Sequence, residues 1–163
     1  MQEIIKILLE TKRDGMQLLI DRMIERGYFQ SPASTKYHEC TTGGLARHSL
    51  SVYKLYSLFP TKYGLDISSD SIAITAICHD ICKVGAYVPS DKGFKWNHKH
   101  PKGHGELSVT AVSKYINLTD LESDIIRFHM GFYNKERPFR DIFAAFNDPR
   151  IKLFYMCDEL SCI

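Results

Sequence analysis

The sequence lacks any hydrophobic run that could cross a membrane, and its amino terminus lacks the features of a signal peptide. A membrane-spanning helix needs about 20 consecutive apolar residues, and no stretch of the 163 residues approaches that length. The first residues mix charged and apolar side chains from Glu3 to Lys6, without a charged segment that leads into a long apolar core. We therefore expect a cytoplasmic protein that does not enter a membrane.

Cysteine pairs and a strong net charge are also missing. The five cysteines are an odd number, and no CxxC occurs, which argues against a disulfide framework and a zinc knuckle. Buried free thiols in a reducing compartment are the favoured interpretation. The formal net charge of +2 is too small to indicate nucleic acid binding on electrostatics alone. Nothing in the composition indicates an oligomeric state.

The residues that are present predict an all-α fold. With 44% hydrophobic and 25% charged residues, the chain has the composition of an ordinary globular domain. Apolar periodicity, caps and breakers predict helices over 2–10, Asp14 to Arg26, Gly43 to before Pro60, Ser68 to Gly85, 103–117, Thr119 to about Met130, 140–146 and 149–162. The only expected strands form a short β-hairpin near 86–97. We predict one domain over 1–163, with 1–30 as a helical extension packed on it.

A histidine and an aspartate stand side by side within the helix predicted from Ser68 to Gly85. His79 and Asp80 follow the apolar run 72–77, and Lys83 comes three residues after the aspartate. Imidazole nitrogen and carboxylate oxygen are both ligands for divalent metals such as Zn, Mn or Fe. On a helix Lys83 would share a face with this pair, and a lysine beside a metal is a natural phosphate contact. The pair alone is weak evidence for a metal site.

Further metal-ligand side chains occur at similar intervals along the chain. Each stands in or beside a different predicted helix and has apolar neighbours, as in metal sites built inside helix bundles. A single histidine on an apolar face is usually a hydrogen-bonded core residue, but that explanation is poor for the whole ordered set. The set is His48, His79, Asp80, His104, His129 and Asp158.

Other polar residues are candidates for contact with a substrate. His38 and His100 fall in predicted loops, where substrate-lining roles are more plausible than metal binding. Arg47 adjoins His48 and could contact an anion, although a solvent-facing arginine is the simpler interpretation. The aromatic side chains of Tyr87 and Trp96 could form a base-stacking wall or belong to the core.

The order His…His-Asp…His…His…Asp resembles the HD-domain superfamily of metal-dependent phosphohydrolases. The segments that carry the resemblance are 43–49, 79–85, 103–108, 126–131 and 158–160, each with one or two of the candidate ligands. Many members have glycine in the place of Cys82, a departure that should cost little because that residue is not a ligand. The resemblance implies a helical bundle in which His48, His79, Asp80 and Asp158 hold a first metal. His104 and His129 would hold a second metal, with Asp80 bridging both ions.

The resemblance also implies an activity. We expect a phosphohydrolase with two divalent ions (Mn, Fe, Co, Ni, Zn or Mg) that acts through a metal-activated hydroxide. Its substrate would be a nucleotide or nucleotide-like phosphate ester, and the bond cleaved could be a phosphomonoester, an anhydride or a diester. Asp80 and Lys83 are the expected catalytic residues, and Lys83 and Arg47 would hold the phosphate. His38 or His100 would contact the substrate, and either could protonate the leaving group. Two alternatives remain open, namely a di-iron oxygenase on the same ligand set and a nucleotide or metal sensor without turnover.

Overall fold

The computed structural model describes residues 1–36, 38–135 and 137–162. Within these residues the chain forms eight α-helices and one two-stranded hairpin, so the predicted all-α fold and the hairpin are confirmed. The helices are α1 Gln2–Glu10, α2 Met16–Glu25, α3 Gly44–Tyr56, α4 Ser69–Cys78, α5 His104–Val112, α6 Asp120–Phe128, α7 Phe139–Ala145 and α8 Pro149–Leu160. The antiparallel strands are β1 Tyr87–Ser90 and β2 Gly93–Trp96, paired with Tyr87 opposite Trp96.

The core is arranged around α4, which is buried over its last eight residues, 71–78. One apolar cluster joins α1 and α2 to α3, α4 and α5, with Leu8, Leu19 and Ile77 among its buried side chains. A second cluster joins α3, α4, α6 and α8 and includes Ile125 and Phe154. A helix that is buried all round reads as a continuous apolar run. This burial explains the composition of α4 and places its carboxyl end in the interior.

The α4 helix ends earlier than the sequence predicted. We expected a helix to Gly85, but α4 stops at Cys78, and Ile81–Lys83 form a 3₁₀ turn. Asp80 lies between the two with φ −105° and ψ 12°, and its carbonyl accepts the Lys83 amide at 2.8 Å. This backbone region is sparsely occupied and is common at active sites. The His79-Asp80 pair thus lies at a break between helices, not on one helical face.

The start of α2 and the end of α5 also differ from expectation. The α2 helix begins after Gly15, not after a cap by Asp14. Gly15 has φ 82°, and a Cβ there would lie 1.9 Å from the carbonyl oxygen of Tyr115, so only glycine fits. The α5 helix ends at Val112 and continues as turns past Tyr115, short of the predicted end at 117.

The remaining differences are small. The predicted loop from Gly131 to Phe139 holds a 3₁₀ turn at Gly131–Tyr133, while Glu136 lies outside the described residues. The α8 helix begins with Pro149 at its first position, as predicted, and ends at Leu160. The loop expected over 28–42 contains no helix or strand among its described residues.

Candidate metal centre

The structure brings the six predicted ligand residues together in the middle of the bundle. Five elements deliver them: the middle of α3, the end of α4, the start of α5, the end of α6 and the last turns of α8. Five of the six residues are buried, and the His104 side chain is 27% exposed. In chain order they are His48, His79, Asp80, His104, His129 and Asp158.

Backbone carbonyls fix the orientation of two of the histidine rings. The Nδ1 atoms of His79 and His129 lie 2.9 Å and 2.6 Å from the carbonyl oxygens of Ala76 and Ile126. Because a carbonyl only accepts, each Nδ1 carries the proton, and in the neutral ring Nε2 keeps a lone pair. Metal-ligating histidines are commonly held in this way.

The Nε2 atoms of both rings point into the cluster. His79 Nε2 lies 3.3 Å from His48 Nε2. His129 Nε2 is buried and has no hydrogen-bond partner among the described residues. A buried polar atom without a partner is costly. A divalent cation would satisfy these nitrogens, so the donor set fits a metal.

The Asp80 carboxylate faces two groups of nitrogens. Its Oδ1 lies 2.7 Å from His104 Nε2 and 3.4 Å from His129 Nε2. Its Oδ2 lies 3.3 Å from His79 Nε2 and 2.6 Å from the Lys83 ammonium. Each carboxylate oxygen of Asp80 thus faces a different pair of nitrogens.

Among the described residues, three sets of three potential ligand atoms are compact enough to hold an ion. One set, His38, His48 and Cys162, lies at the edge of the predicted centre, and the other two contain predicted ligands only. The ligand atoms of His48, His79 and Asp158 lie within 4.8 Å of one another, as do those of His79, Asp80 and His129. Metal–ligand distances of about 2.0–2.2 Å place ligands on opposite sides of an ion roughly 4 Å apart. The ligands of the set that contains Asp158 are tied further, since His48 Nε2 lies 2.9 Å from Asp158 Oδ1.

The electrostatics of the cluster favour a bound cation. Burial favours the neutral carboxyl, but Lys83, His79 and His104 outweigh it and hold the pKa of Asp80 well below its usual range. His79 and His48 likewise lower the pKa of Asp158 against its burial. Burial disfavours the charged imidazole of His79, yet Asp80 and Asp158 raise its pKa to about 10. Two ionised carboxylates in this buried site therefore favour the binding of a positively charged group there.

The candidate substrate residues differ in where they lie. Lys83 and His100 line a cavity of about 130 Å³ that also reaches His104. Tyr87 and Trp96 line the same cavity and pack edge to face, with ring centroids 5.7 Å apart. This cavity therefore adjoins the candidate metal centre on the side of Lys83 and His104.

Arg47 and His38 lie elsewhere. Arg47 is half exposed and donates to Glu39, Thr41 and the carbonyl of Thr42, so its guanidinium is engaged by the preceding loop. The His38 ring packs 4.7 Å from the His48 ring, and burial lowers its pKa to about 4. The roles of both residues in substrate binding stay predictions.

Two cysteines contact histidines of the site, which the sequence did not reveal. Cys82 Sγ lies 3.1 Å from His104 Nδ1, and Cys162 Sγ lies 3.5 Å from His38 Nε2. All five cysteines are free thiols; Cys78, Cys82 and Cys157 are buried as expected, whereas Cys40 and Cys162 are partly exposed. Cys82 follows Asp80 by two residues, and this spacing was the only available sign of its position.

The fold and the cluster define an all-helical domain with a buried histidine–aspartate centre suited to divalent metals. The profile of the HD domain matches residues 45–160. The chain therefore belongs to the HD domain family, and the predicted resemblance is confirmed.

One curated relative of the chain is named as a phosphodiesterase. The chain is 27% identical over 114 residues to a dihydroneopterin 2′,3′-cyclic phosphate phosphodiesterase of Methanocaldococcus jannaschii, and the alignment covers 67% of this chain and 45% of the relative. The match thus spans less than half of the relative's length. No solved structure matches the chain significantly. Among the described residues, no helix combines the length and apolar character needed to cross a membrane.

Proposed function

We propose that the protein is a metal-dependent phosphohydrolase that cleaves a nucleotide-like phosphodiester. The observation that carries the proposal is the convergence of histidine Nε2 atoms on Asp80 and Asp158 inside an HD domain. The phosphodiesterase relative supports the same class of reaction.

The residues divide into two metal-binding groups. His48, His79, Asp80 and Asp158 would hold one ion, while His104 and His129 would hold a second ion together with Asp80. When bound, such ions lower the pKa of a water and neutralise charge on a phosphoryl group. The carbonyls of Ala76 and Ile126 hold both rings with Nε2 toward Asp80, the orientation in which these nitrogens could bind a metal.

Lys83 is the residue placed to bind the substrate's phosphate. Its ammonium lies 2.6 Å from Asp80 Oδ2, its side chain is 14% exposed, and it lines the cavity that reaches His104. The negative charge of Asp80 raises the Lys83 pKa against its burial, so the group stays cationic at neutral pH. A fixed cation there attracts a phosphate oxygen and stabilises charge that develops on it.

His100 is better placed than His38 to protonate the leaving group. His100 lines the cavity beside Lys83 and His104. His38 packs against His48 and Cys162, and with a pKa of about 4 it is neutral at pH 7 and cannot donate as an imidazolium. We therefore assign the leaving-group side of the reaction to the cavity with His100.

The aromatic side chains of that cavity favour a substrate with a planar ring. Tyr87 and Trp96 belong to paired strands, and Trp96 also packs 5.6 Å from His100. A base or pterin-like ring could stack on these side chains, while its phosphodiester reaches Lys83. The relative's cyclic phosphate makes 2′,3′-cyclic nucleotides the first compounds to test.

Chromatographic analysis of products tests the proposal. The protein would be incubated with 2′,3′-cyclic and 3′,5′-cyclic nucleotides and nucleoside monophosphates in Mn²⁺, Fe²⁺, Co²⁺ or Mg²⁺, with and without oxygen. We expect metal-dependent, oxygen-independent hydrolysis of a diester that Asp80→Ala abolishes. Turnover that needs oxygen, or equal turnover in the Asp80→Ala variant, would contradict the proposal. Binding without turnover of any compound would favour a sensor.

A further inference from the structure

A second cavity of about 250 Å³ lies between α2 and α5, apart from the candidate metal ligands. Its walls are apolar, with Leu19 and Met23 from α2 facing Leu107 and Ala111 from α5. None of the six candidate ligands, nor Lys83, lines it, but Cys82, His100, Pro101 and Leu107 line both this cavity and the one beside the metal centre. The α2 wall precedes residues 45–160, which match the HD domain, so the cavity depends on the amino-terminal extension.

The charged residues that line this cavity are all basic. Arg22, Arg26 and Lys114 line it, and no acidic side chain does so among the described residues. Arg22 is paired with Glu25 at 2.5 Å, whereas Arg26 and Lys114 form no ion pair within 4 Å in the described part of the chain. Three cations against one carboxylate leave the mouth of an apolar cavity with positive charge.

We propose that this cavity is an effector site for a small anionic amphiphile, with an apolar ring system or short chain and one acidic group. Burial of the apolar body against Leu19, Met23 and Leu107 would supply most of the affinity. The acidic group would pair with Arg26 and Lys114, whose charges no described side chain neutralises by direct contact. A carboxylate, a sulfonate or a phosphate shares this chemistry.

The position of the cavity suggests how such a ligand acts on the metal centre. Ile81, Cys82 and Val84 line it, and they belong to the turn that follows Asp80. Cys82 also lines the cavity beside the metal centre and contacts His104 at 3.1 Å. A ligand that shifts this turn would move His104 and Asp80, and linkage requires that metal binding change the ligand's affinity in return. This coupling rests on the metal site proposed above, whereas binding to the cavity does not.

Two dyes with the same ring system test the binding. The anionic probe is 1-anilinonaphthalene-8-sulfonate, and the neutral control is N-phenyl-1-naphthylamine, which lacks the sulfonate. In fluorescence titrations of the full chain, we expect saturable binding of one anionic dye per chain and at least tenfold weaker binding of the neutral dye. Equal affinities would overturn the role of the cations, and the absence of saturable binding would overturn the site.

Three variants locate the bound dye. Ala111 is partly exposed, so Ala111→Phe should fill the cavity without disturbing the buried core. We expect at least a tenfold loss of dye affinity in Ala111→Phe and in the double variant Arg26→Glu/Lys114→Glu. The double variant Lys62→Glu/Lys152→Glu changes two exposed lysines outside the cavity by the same charge, and it should bind as the wild type does. If circular dichroism shows all variants folded and their affinities are equal, the dye binds elsewhere and the proposal is wrong.

The effector role has its own test. Dye affinity would be measured with and without saturating Zn²⁺, which is diamagnetic and does not quench the dye. We expect a change of at least threefold in wild type and no change in Asp80→Ala. A wild-type affinity that is independent of Zn²⁺, in a protein shown to bind Zn²⁺, would overturn the effector role.

Discussion

Cys82 is the residue whose contacts were least expected from the sequence. Its thiol lies 3.1 Å from Nδ1 of His104, whose Nε2 lies 2.7 Å from Asp80. A neutral histidine that binds a metal through Nε2 carries its proton on Nδ1. The Cys82 sulfur would therefore accept a hydrogen bond from Nδ1 of His104. His79 and His129 use backbone carbonyls for the same purpose, whereas His104 depends on a side chain.

Replacing Cys82 should therefore weaken the second metal site. We expect Cys82→Val to lower the affinity for the second ion by about tenfold, within the range for loss of a partner behind a metal ligand. Cys82→Ser should retain most of the affinity because a hydroxyl also accepts. The measurement is a metal titration by calorimetry, in which the first ion should bind unchanged.

The control for this prediction is another buried cysteine. Cys78 is fully buried at the end of α4, and its thiol forms no hydrogen bond with a candidate ligand among the described residues. We therefore expect Cys78→Val to leave both metal affinities as they are. Equal weakening in both variants would show that general packing, and not the Cys82–His104 contact, causes the effect.

The ligand residues could be chosen from the sequence because each is an ionisable group among apolar neighbours at a separate helical position. His48, His129 and Asp158 illustrate this pattern, and all three are buried in the cluster. Their roles as ligands stay predictions until metal is measured. The contacts of Cys82 and Cys162 could not be predicted, since they depend on how the turn after Asp80 and the end of α8 are oriented.

At the scale of elements, a buried ion pair connects the amino-terminal helices to the bundle. Arg13, in the turn between α1 and α2, donates to both oxygens of Glu122 at 3.0 Å and 2.8 Å. Glu122 also accepts from Ser71 on α4, and it forms a capping box with Thr119. One fully buried carboxylate thus joins three elements.

Substitution of this carboxylate should destabilise the fold in a pH-dependent way. We expect Glu122→Gln to lower the free energy of unfolding by about 1–3 kcal/mol at pH 7, the range for loss of charge-assisted hydrogen bonds. Burial favours the neutral form of Glu122, but bonds from Arg13, the Thr119 amide and Ser71 outweigh it and lower its pKa.

The sign of the pH dependence follows from that lowered pKa. A carboxyl whose pKa is lower in the folded state stabilises the fold in full at pH values above its unfolded pKa of about 4.3. This stabilisation is lost as the pH falls through the pKa of the folded state. In urea unfolding at pH 7, 5 and 4, the difference between wild type and Glu122→Gln should be constant at the two higher values and shrink at the lowest. A difference that grows toward low pH would contradict the ion pair.

Helix positions were predicted well where local signals act alone. The capping box at Thr119 and the proline at the start of α8 correctly mark helix starts. The predicted end of α4 was wrong because nothing in the apolar run before His79 indicates that the helix ends there. The predicted start of α2 was wrong because Gly15 packs against the carbonyl of Tyr115, a residue 100 positions away in the sequence.

At the scale of the molecule, the amino-terminal helices share the core of the bundle. Ile4, Leu8 and Leu19 are at most 2% exposed and cluster with Leu45 and Ile77 of the matched domain. That 1–163 forms one folding unit, with 1–30 as its extension, remains a prediction. The sequence predicted the helices of this extension but not their partners, because apolar periodicity identifies an inward face without showing what it meets.

Removal of residues 1–30 should abolish cooperative unfolding. The deletion exposes the buried surfaces of Leu45, Ile74 and Ile77, and the free energy lost would exceed the usual stability of a domain of this size. Urea unfolding followed by circular dichroism is the measurement, with Leu18→Ala/Ile24→Ala on the exposed side of α2 as control. A truncated chain that unfolds cooperatively with unchanged midpoint would show that the extension is not part of the folding unit.

Metal content tests the central claim most directly. Wild type and Asp158→Ala would be loaded with Mn²⁺, freed of excess metal by gel filtration and analysed by mass spectrometry for metal per folded chain. The account predicts at least one tightly held ion per wild-type chain and a loss of that ion in Asp158→Ala, whose carboxylate faces His48 and His79 at 2.9 Å and 3.5 Å. A folded wild-type chain without metal, or equal metal in both proteins, would contradict the account.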